Sequence, residues 1–308
     1  MSIAPSSIGI DVSKAWLDIF DATSNTPQRC ANTPKEVARF LATLNPQSTV
    51  LFEATAPYDT ALRYALGHTE LRAIRVNPGR ARDFARASGT LAKTDAIDAQ
   101  MLSRMASAIE LPAEPPFDSA REALISLHRR RDQLVDVRAV ENGRKASVCD
   151  RIEQASIERH IHWLDGEIKR LDGKLVAAIK QPAFARKAAL LRSIKGVGDV
   201  TVTTLLALMP ELGQRSPKAI AALAGLAPIN CDSGKFRGQR HIRGGRRRVR
   251  QALYMAALSA SRCYPAFKAF KEAITQRSGH AKVAIVALAR KLLVILNAIL
   301  RTGVPFHA

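Results

Sequence analysis

The feature that most constrains the fold is a change in periodicity near Pro78. Before this proline, apolar runs typical of strands alternate with helical segments. Strands are predicted at Ile8 to Val12, Trp16 to Phe20, Thr49 to Phe52 and Leu71 to Val76, and helices at Pro34 to Leu44 and Tyr58 to Leu66. After it, only helical patterns remain. The chain therefore predicts an α/β part with a mixed sheet, followed by an all-α part.

The helical part divides at turn-forming residues. Asp95 to Ala108 predicts one helix, a proline-rich break follows, and a long helical region extends from about Ser119 to Ile179. Apolar residues late in that region recur with the spacing of a coiled-coil seam, at Ile161, Leu164, Ile168, Leu171 and Leu175. The seam predicts either a helical arm for self-association or a helix packed on its own domain. We expect three parts: an α/β domain over residues 1–110, a helical, coiled-coil-like segment over 118–181, and a compact helical domain over 182–308.

The net charge indicates a polyanionic partner. The chain has 47 Lys and Arg against 27 Asp and Glu, a formal charge of +20, which favours nucleic acid. A basic membrane-surface protein is the competing interpretation, but the apolar stretch from Leu292 to Leu300 is too short to span a bilayer and contains Asn297. The N-terminus lacks the pattern of a signal peptide. We expect a cytoplasmic protein without membrane association.

The cysteines indicate neither zinc binding nor a disulfide framework. No pair has CxxC spacing, and the four residues are scattered at Cys30, Cys149, Cys231 and Cys263. We expect most of them to be buried thiols.

Four acids are predicted to converge at one edge of the sheet. Asp11 ends the first predicted strand and Glu53 a later one, while Asp95 and Asp98 share a helix face at i,i+3. Carboxylate oxygens suit Mg²⁺, and two ions can clamp the attacking and leaving oxygens at a phosphate. The pattern predicts phosphodiester chemistry with two Mg²⁺ ions. For Asp95, a helix N-terminal residue favoured by the helix dipole is the alternative.

A basic segment near the C-terminus predicts contact with a phosphate backbone. It is interleaved with glycines and contains no acid, and its basic residues are Lys235, Arg237, Arg240, Arg243, Arg246, Arg247, Arg248 and Arg250. Ser233, just before it, is a candidate nucleophile, although Ser-Gly is also common in turns. Gly196 and Gly198 predict a helix-hairpin-helix turn on a DNA phosphate, and a tight helix connection without DNA contact gives the same pattern.

These motifs resemble those of the DEDD transposases of the IS-one-ten insertion sequences, relatives of the Piv DNA invertase. The resemblance covers nearly the whole chain. The matching residues are Gly9 to Lys14, Glu53 with Thr55 and Tyr58, Val76 to Pro78, Lys93 to Ala99, Gly196 to Gly198, Gly225 to Pro228, Ser233 with Gly234, Ile242, Gly245 and Arg250. One departure is Ala56, where the family often has glycine; alanine removes the freedom for positive φ in this loop.

The resemblance implies a fold and a mechanism. The first domain would be RuvC-like (RNase H-like), with Asp11, Glu53, Asp95 and Asp98 binding Mg²⁺, and Ser233 of a C-terminal transposase domain would form a covalent phosphoserine link. The implied partners are double-stranded DNA at the element ends and target, a structured bridge RNA, and further copies of the chain in a homodimer or homotetramer. We expect DNA transposition or site-specific recombination. The alternatives are a metal-dependent junction endonuclease and a non-catalytic nucleic-acid-binding protein.

Overall fold

The computed structural model describes residues 6–89, 94–230, 232–233, 236–238 and 240–307, with only the backbone described at 232, 233, 236 and 237. The chain divides into two compact units, one ending at Asp118 and the other beginning at Ser119. Each unit contains its own hydrophobic core.

The first unit contains the predicted mixed sheet. Its strands are β1 (Ser7–Val12), β2 (Trp16–Asp21), β3 (Thr26–Ala31), β4 (Thr49–Glu53) and β5 (Arg72–Val76), in the order β3-β2-β1-β4-β5. The pairs β1–β2 and β2–β3 are antiparallel, whereas β1–β4 and β4–β5 are parallel. Strand β3 was not predicted because it is a largely exposed edge strand with Pro27 and no apolar alternation.

Helices cover both faces of this sheet. The core on one face includes residues of α1 (Pro34–Leu41) and α2 (Thr60–Leu66), and the core on the other includes residues of α3 (Pro78–Ala87) and α4 (Asp95–Ala108). Helix α4 has the bounds that the sequence predicts; α3 was not predicted. Because side chains alternate along a strand, Ile8, Ile10 and Val12 pack on the α1/α2 side, so Gly9 and Asp11 face α4.

Helix α4 lies very close to β1 and runs antiparallel to it. The Ser103 hydroxyl donates to the Ser7 carbonyl at 2.6 Å. A Cβ at Gly9 would lie 1.9 Å from the carbonyl oxygen of Ala99, so this approach requires glycine. Ser103 lies at Ser7 and Ala99 lies at Gly9, so α4 continues toward its first turn as β1 continues toward Asp11. The first turn, with Asp95 and Asp98, is therefore held near Asp11.

The second unit begins with two helices instead of the single long helical region suggested by the sequence. Helix α5 (Ser119–Ser147) ends before a short break, and α6 (Arg151–Ala178) begins after it. Asp150 ends the break and caps α6, since its carboxylate accepts hydrogen bonds from the amides of Ile152 and Glu153, both at 2.9 Å.

The two helices form an antiparallel hairpin. Interhelical ion pairs join Arg131 to Asp172 and Lys145 to Glu158. Residues later in α5 thus pair with residues earlier in α6, which shows that the two helices run in opposite directions. The seam residues Leu164 and Ile168 pack with Leu134 of α5 in a small core cluster. The seam of α6 is therefore covered by the same chain, as expected for the alternative of a helix packed on its own domain.

The rest of the second unit is the predicted compact helical region with four short strands added. Its elements are α7 (Pro182–Arg192), α8 (Asp199–Leu208), α9 (Pro217–Leu223), β6 (Pro228–Ile229), β7 (Asp232–Ser233), β8 (Phe236–Arg237), β9 (His241–Ile242), α10 (Arg247–Cys263), α11 (Pro265–Ser278) and α12 (Ala281–Thr302). The strands pair antiparallel as β6–β9 and β7–β8. They are two residues long, too short to give a recognisable alternation in the sequence.

Helix α12 is the central core helix of the second unit. It is 22 residues long, longer than the apolar stretch from Leu292 to Leu300, and by length and composition alone it is long and apolar enough to cross a membrane. Its Leu288, Leu292 and Leu296 are buried in the core. The buried Asn297 accepts a hydrogen bond from the amide of Gly213 at 2.7 Å, a polar contact within the unit. These contacts identify α12 as a core helix.

The expectation of buried thiols is wrong for two cysteines. Cys149 and Cys263 are exposed and Cys30 is half-buried, all three as free thiols, while Cys231 lies outside the described residues. Cys149 lies in the break between α5 and α6, and Cys263 is the last residue of α10, so neither position faces a core.

Candidate functional site

Charged residues form a row across the sheet. In the strand register, Asp11 of β1 pairs with Asp18 of β2, which pairs with Arg29 of β3. On the other side of β1, Ile10 pairs with Phe52 of the parallel strand β4, and Asp11 and Glu53 are the next residues of the two strands. Residues directly opposite each other in a sheet share a face. Arg29, Asp18, Asp11 and Glu53 therefore lie side by side on the face toward α4.

Helix α4 adds two more acids to this row. The pKa of Asp11 is raised from 3.8 to about 6, first by burial and then by the negative charges of its four acidic neighbours, Asp98, Asp95, Glu53 and Asp18. A carboxyl pKa rises in this way when the surroundings disfavour its charged form. The three other acids singled out in the sequence, Glu53, Asp95 and Asp98, thus lie within electrostatic range of Asp11 on one face of the sheet.

The donor set suits a hard divalent cation. All the acids near Asp11 offer carboxylate oxygens, the ligands preferred by Mg²⁺, and mutual repulsion makes a cation favourable there. Within the described part of the chain, no group of three or more His, Cys, Asp or Glu side chains is close enough to hold a metal ion as it stands. The acids are therefore gathered within electrostatic range but not drawn together to coordination distance.

Sequence reasoning missed two members of the row, Asp18 and Arg29. The guanidinium of Arg29 contacts Asp18 Oδ1 at 2.8 Å through Nε, and lies 3.6 Å from Asp95. Asp18 is only 6% exposed, and its Oδ2 has no hydrogen-bond partner among the described residues. The signal for Asp18 was present, because it interrupts an apolar strand as Asp11 does. Arg29 had none, since β3 was not predicted.

The loop after Glu53 accommodates alanine. Asp59 is fully buried and holds this loop, accepting hydrogen bonds from the Thr55 amide at 3.2 Å and from Arg75 Nε at 2.8 Å. Ala56 is not among the residues with positive φ, and the peptide bond from it to Pro57 is cis. The departure from glycine at this position therefore carries no backbone strain.

The candidate nucleophile lies in the short strands of the second unit. The backbone of Ser233 belongs to β7 and pairs with Phe236 of β8, beyond the β6–β9 pair. Lys235 lies outside the described residues, as do the side chains of Ser233 and Arg237. The roles predicted for these three residues stay predictions.

Part of the basic segment is neutralised within the fold. Arg246 makes two contacts of 2.6 Å with Glu211, and Arg248 pairs with Asp132 at 3.0 Å and Asp136 at 2.5 Å. Burial works to raise the pKa of Glu211, but the hydrogen bond and charge of Arg246 outweigh it, and the pKa is lowered. The basic segment contains no acid of its own, but acids from distant parts of the chain lie beside it and neutralise these two arginines.

The other described arginines of the segment differ in their contacts. Arg250 donates to the Gly244 carbonyl at 2.8 Å, which holds the loop before α10. Arg240, Arg243 and Arg247 are exposed and make no ion pair within the described part of the chain. Of the residues predicted to bind phosphate, these three have their charge available.

The turn between α7 and α8 contacts the second unit itself. Gly196 has φ +100, and a Cβ there would lie 2.5 Å from the amide nitrogen of Ala260 in α10. The Lys195 amide donates to the Tyr264 hydroxyl at 2.9 Å. Packing thus explains Gly196 as part of a tight helix connection. At Gly198, the N-cap of α8, there is open space, and its approach to a DNA phosphate stays a prediction.

Comparisons with known proteins place both units in transposase families. Residues 8–152 match a DEDD transposase family of the IS110 type, and residues 188–272 match the family described as Transposase IS116/IS110/IS902. The pilin gene-inverting protein of Moraxella lacunata is 30% identical over 313 residues, covering 97% of both chains. That of Moraxella bovis has the same identity and coverage. The insertion element IS110 uncharacterized 43.6 kDa protein of Streptomyces coelicolor is 32% identical over 122 residues, 39% of this chain and 30% of the relative.

A mixed-sheet unit with a face of acids, joined in one chain to a helical unit of the transposase type, defines a DNA recombination enzyme. The match to the pilin gene-inverting proteins extends this from the separate units to the full chain. The chain belongs to the IS110 family of transposases.

Proposed function

We propose that this chain is a Mg²⁺-dependent DNA recombinase that mobilises an insertion sequence, with a RuvC-like (RNase H-like) first unit and a serine nucleophile in the second. One observation carries the proposal: Glu53, Asp95 and Asp98 lie near Asp11 on one face of the sheet, where burial first and then these neighbouring charges raise the pKa of Asp11. A cation bound among these acids would stabilise the charged form of Asp11.

Asp11, Glu53, Asp95 and Asp98 would hold the metal, with two Mg²⁺ ions as the expected number. When bound, the ions supply positive charge for the attacking and leaving oxygens of a phosphodiester. The carboxylates themselves would fix the place where a phosphate is accepted. The close approach of α4 at Gly9 keeps the two acids of α4 near the two acids of the sheet.

Ser233 would supply the nucleophile. Its Oγ would lose its proton and form a bond to phosphorus while the bond from phosphorus to one sugar oxygen breaks and that oxygen takes up a proton, so one phosphoester replaces another and no energy source is required. The exposed Arg240 and Arg243, close in sequence to Ser233, carry charge that can offset the developing negative charge. The names of the gene-inverting relatives support strand exchange over simple cutting.

The partners proposed are double-stranded DNA of the element ends and target, a structured guide RNA, and further copies of the chain in a homodimer or homotetramer, in the prokaryotic cytoplasm. The formal charge of +20 supports nucleic acid in general. The guide RNA and the assembly rest on the family resemblance.

The test is a search for a covalent protein–DNA adduct. Purified full-length protein, with Mg²⁺ and any co-purifying RNA, is incubated with element-end DNA and run on a denaturing gel. We expect an adduct that is lost in Ser233→Ala and in Asp11→Asn but retained in the surface control Asp83→Asn. Cleavage without an adduct would instead identify a water-using junction endonuclease, and an adduct retained in Ser233→Ala would exclude this serine.

A further inference from the structure

Arg29 is a basic side chain at the end of an otherwise acidic row. Its guanidinium contacts Asp18 Oδ1 at 2.8 Å through both Nε and a terminal nitrogen, and a terminal nitrogen lies 3.6 Å from Asp95 Oδ2. Its charge therefore lies between a buried acid of the sheet and the first residue of α4. Both neighbours belong to the site proposed to act on DNA.

Asp18 is built to hold this arginine in place. Its side chain is 9% exposed, and a carboxylate buried to this extent requires a charged partner. Arg29 Cζ also lies 6.0 Å from the centre of the Trp16 ring. One edge of the guanidinium is therefore fixed on the sheet, while the Arg29 side chain remains 51% exposed. An exposed edge on an anchored guanidinium is a binding group whose position is set in advance.

The contact with Asp95 is the looser of the two. At 3.6 Å it exceeds hydrogen-bond length, and Asp95 has 62% of its side chain exposed. An incoming phosphate offers the same guanidinium two oxygens in the geometry that it binds best. It can thus take the place of Asp95 without disturbing the Asp18 contact.

A positive group helps a phosphate to approach this site. Asp11, Asp18, Glu53, Asp95 and Asp98 all carry acidic side chains, so without bound metal Coulomb repulsion opposes the entry of a further anion. We propose that Arg29 binds a DNA phosphate at the carboxylate site, and that Asp18 is the positioning residue that holds it there. The inference rests on the proposed function and names a substrate contact within the same site.

The first test separates DNA binding from turnover. Full-length variants are assayed for kcat and for KM toward element-end DNA, with Mg²⁺ and RNA present. Loss of a charge-assisted phosphate contact is worth on the order of 10- to 100-fold in KM, so Arg29→Gln is expected to raise KM by that factor. Arg29→Lys is expected to recover part of it. The matched control is Arg39→Gln, which removes the same charge from exposed α1 on the opposite face and is expected to leave KM unchanged.

A double variant separates phosphate binding from simple neutralisation of Asp18. Asp18→Asn is expected to raise KM although it makes the site less negative, because Arg29 loses its anchor. Asp18→Asn/Arg29→Gln is expected to bind DNA no better than Arg29→Gln. If Arg29 only neutralised Asp18, the double variant would regain the wild-type KM, and that result would overturn the inference.

A local probe makes the test independent of turnover. In a Trp163→Phe background, Trp16 is the remaining tryptophan of the chain and lies beside Arg29. Titration with element-end DNA in EDTA is expected to change its fluorescence, with a midpoint shifted to higher DNA concentration in Arg29→Gln. An unchanged midpoint and KM in Arg29→Gln, with Asp11→Asn inactive, would refute this inference and leave the proposed function standing. Full activity in Asp11→Asn would refute the proposed function itself.

Discussion

Replacing Asp11 with Asn is expected to stabilise the metal-free first unit at neutral pH. The folded protein raises the pKa of Asp11 from 3.8 to about 6. A shift of roughly two units corresponds to about 3 kcal/mol at most, because each unit is worth 1.36 kcal/mol. Asp11 is partly exposed, so screening by solvent reduces this to about 1.5 kcal/mol.

The sign of the effect depends on pH. The folded pKa lies above the unfolded value, so Asp11 causes no loss of stability below about pH 4, where both states are protonated, and its destabilising contribution grows as pH rises through about 6. Asparagine carries no charge and does not incur this loss. The gain from Asp11→Asn should therefore be near zero at about pH 4 and near its full value at about pH 7.5.

The measurement is urea denaturation in EDTA at these two pH values. In a Trp163→Phe background the fluorescence of Trp16 reports on the first unit alone. Asp83→Asn is the control, since this aspartate is 78% exposed on α3. Its effect on the free energy of unfolding should not increase between the two pH values. Equal stability of Asp11→Asn and its parent at neutral pH, or an equal gain at both values, would show that the folded unit does not disfavour the charged form of Asp11.

Three further results are expected. Gly9→Ala should destabilise the first unit by several kcal/mol in urea denaturation and abolish DNA cleavage, because the added Cβ meets backbone atoms of α4, whereas Gly166→Ala, which meets nothing, should stabilise α6 by up to about 1 kcal/mol. Arg247→Ala should leave the free energy of unfolding unchanged but weaken DNA binding and lower its salt dependence, and equal salt slopes in Arg247→Ala and wild type would count against phosphate contact. Arg246→Ala should instead lower the free energy of unfolding by about 1–3 kcal/mol, because Glu211 loses its partner. Leu164→Ala should destabilise the α5–α6 hairpin by about 2–5 kcal/mol in thermal unfolding, and no loss would mean that the seam is not packed as a core.

Contacts that depend on distant segments were not predictable. No pattern in residues 235–250 shows that Arg246 and Arg248 are neutralised, because their partners, Glu211, Asp132 and Asp136, lie elsewhere in the chain. The seam of α6 predicted self-association and self-packing equally well, because the same apolar stripe serves either, and only the position of α5 shows that Leu164 and Ile168 pack within the chain.

The sequence by itself determined the local elements and the residue types of the site. Apolar runs marked β1, β2, β4 and β5, and a helical pattern marked α4. Asp11 and Glu53 stood out because acids are costly in apolar strands. The tertiary structure alone decided which charges share a face. Arg29 joined the site only through the pairing of an edge strand without a periodic signal, and Gly9 acquired its role only through the approach of α4. Strand register and helix packing depend on interactions between distant residues, and a local pattern carries no record of them.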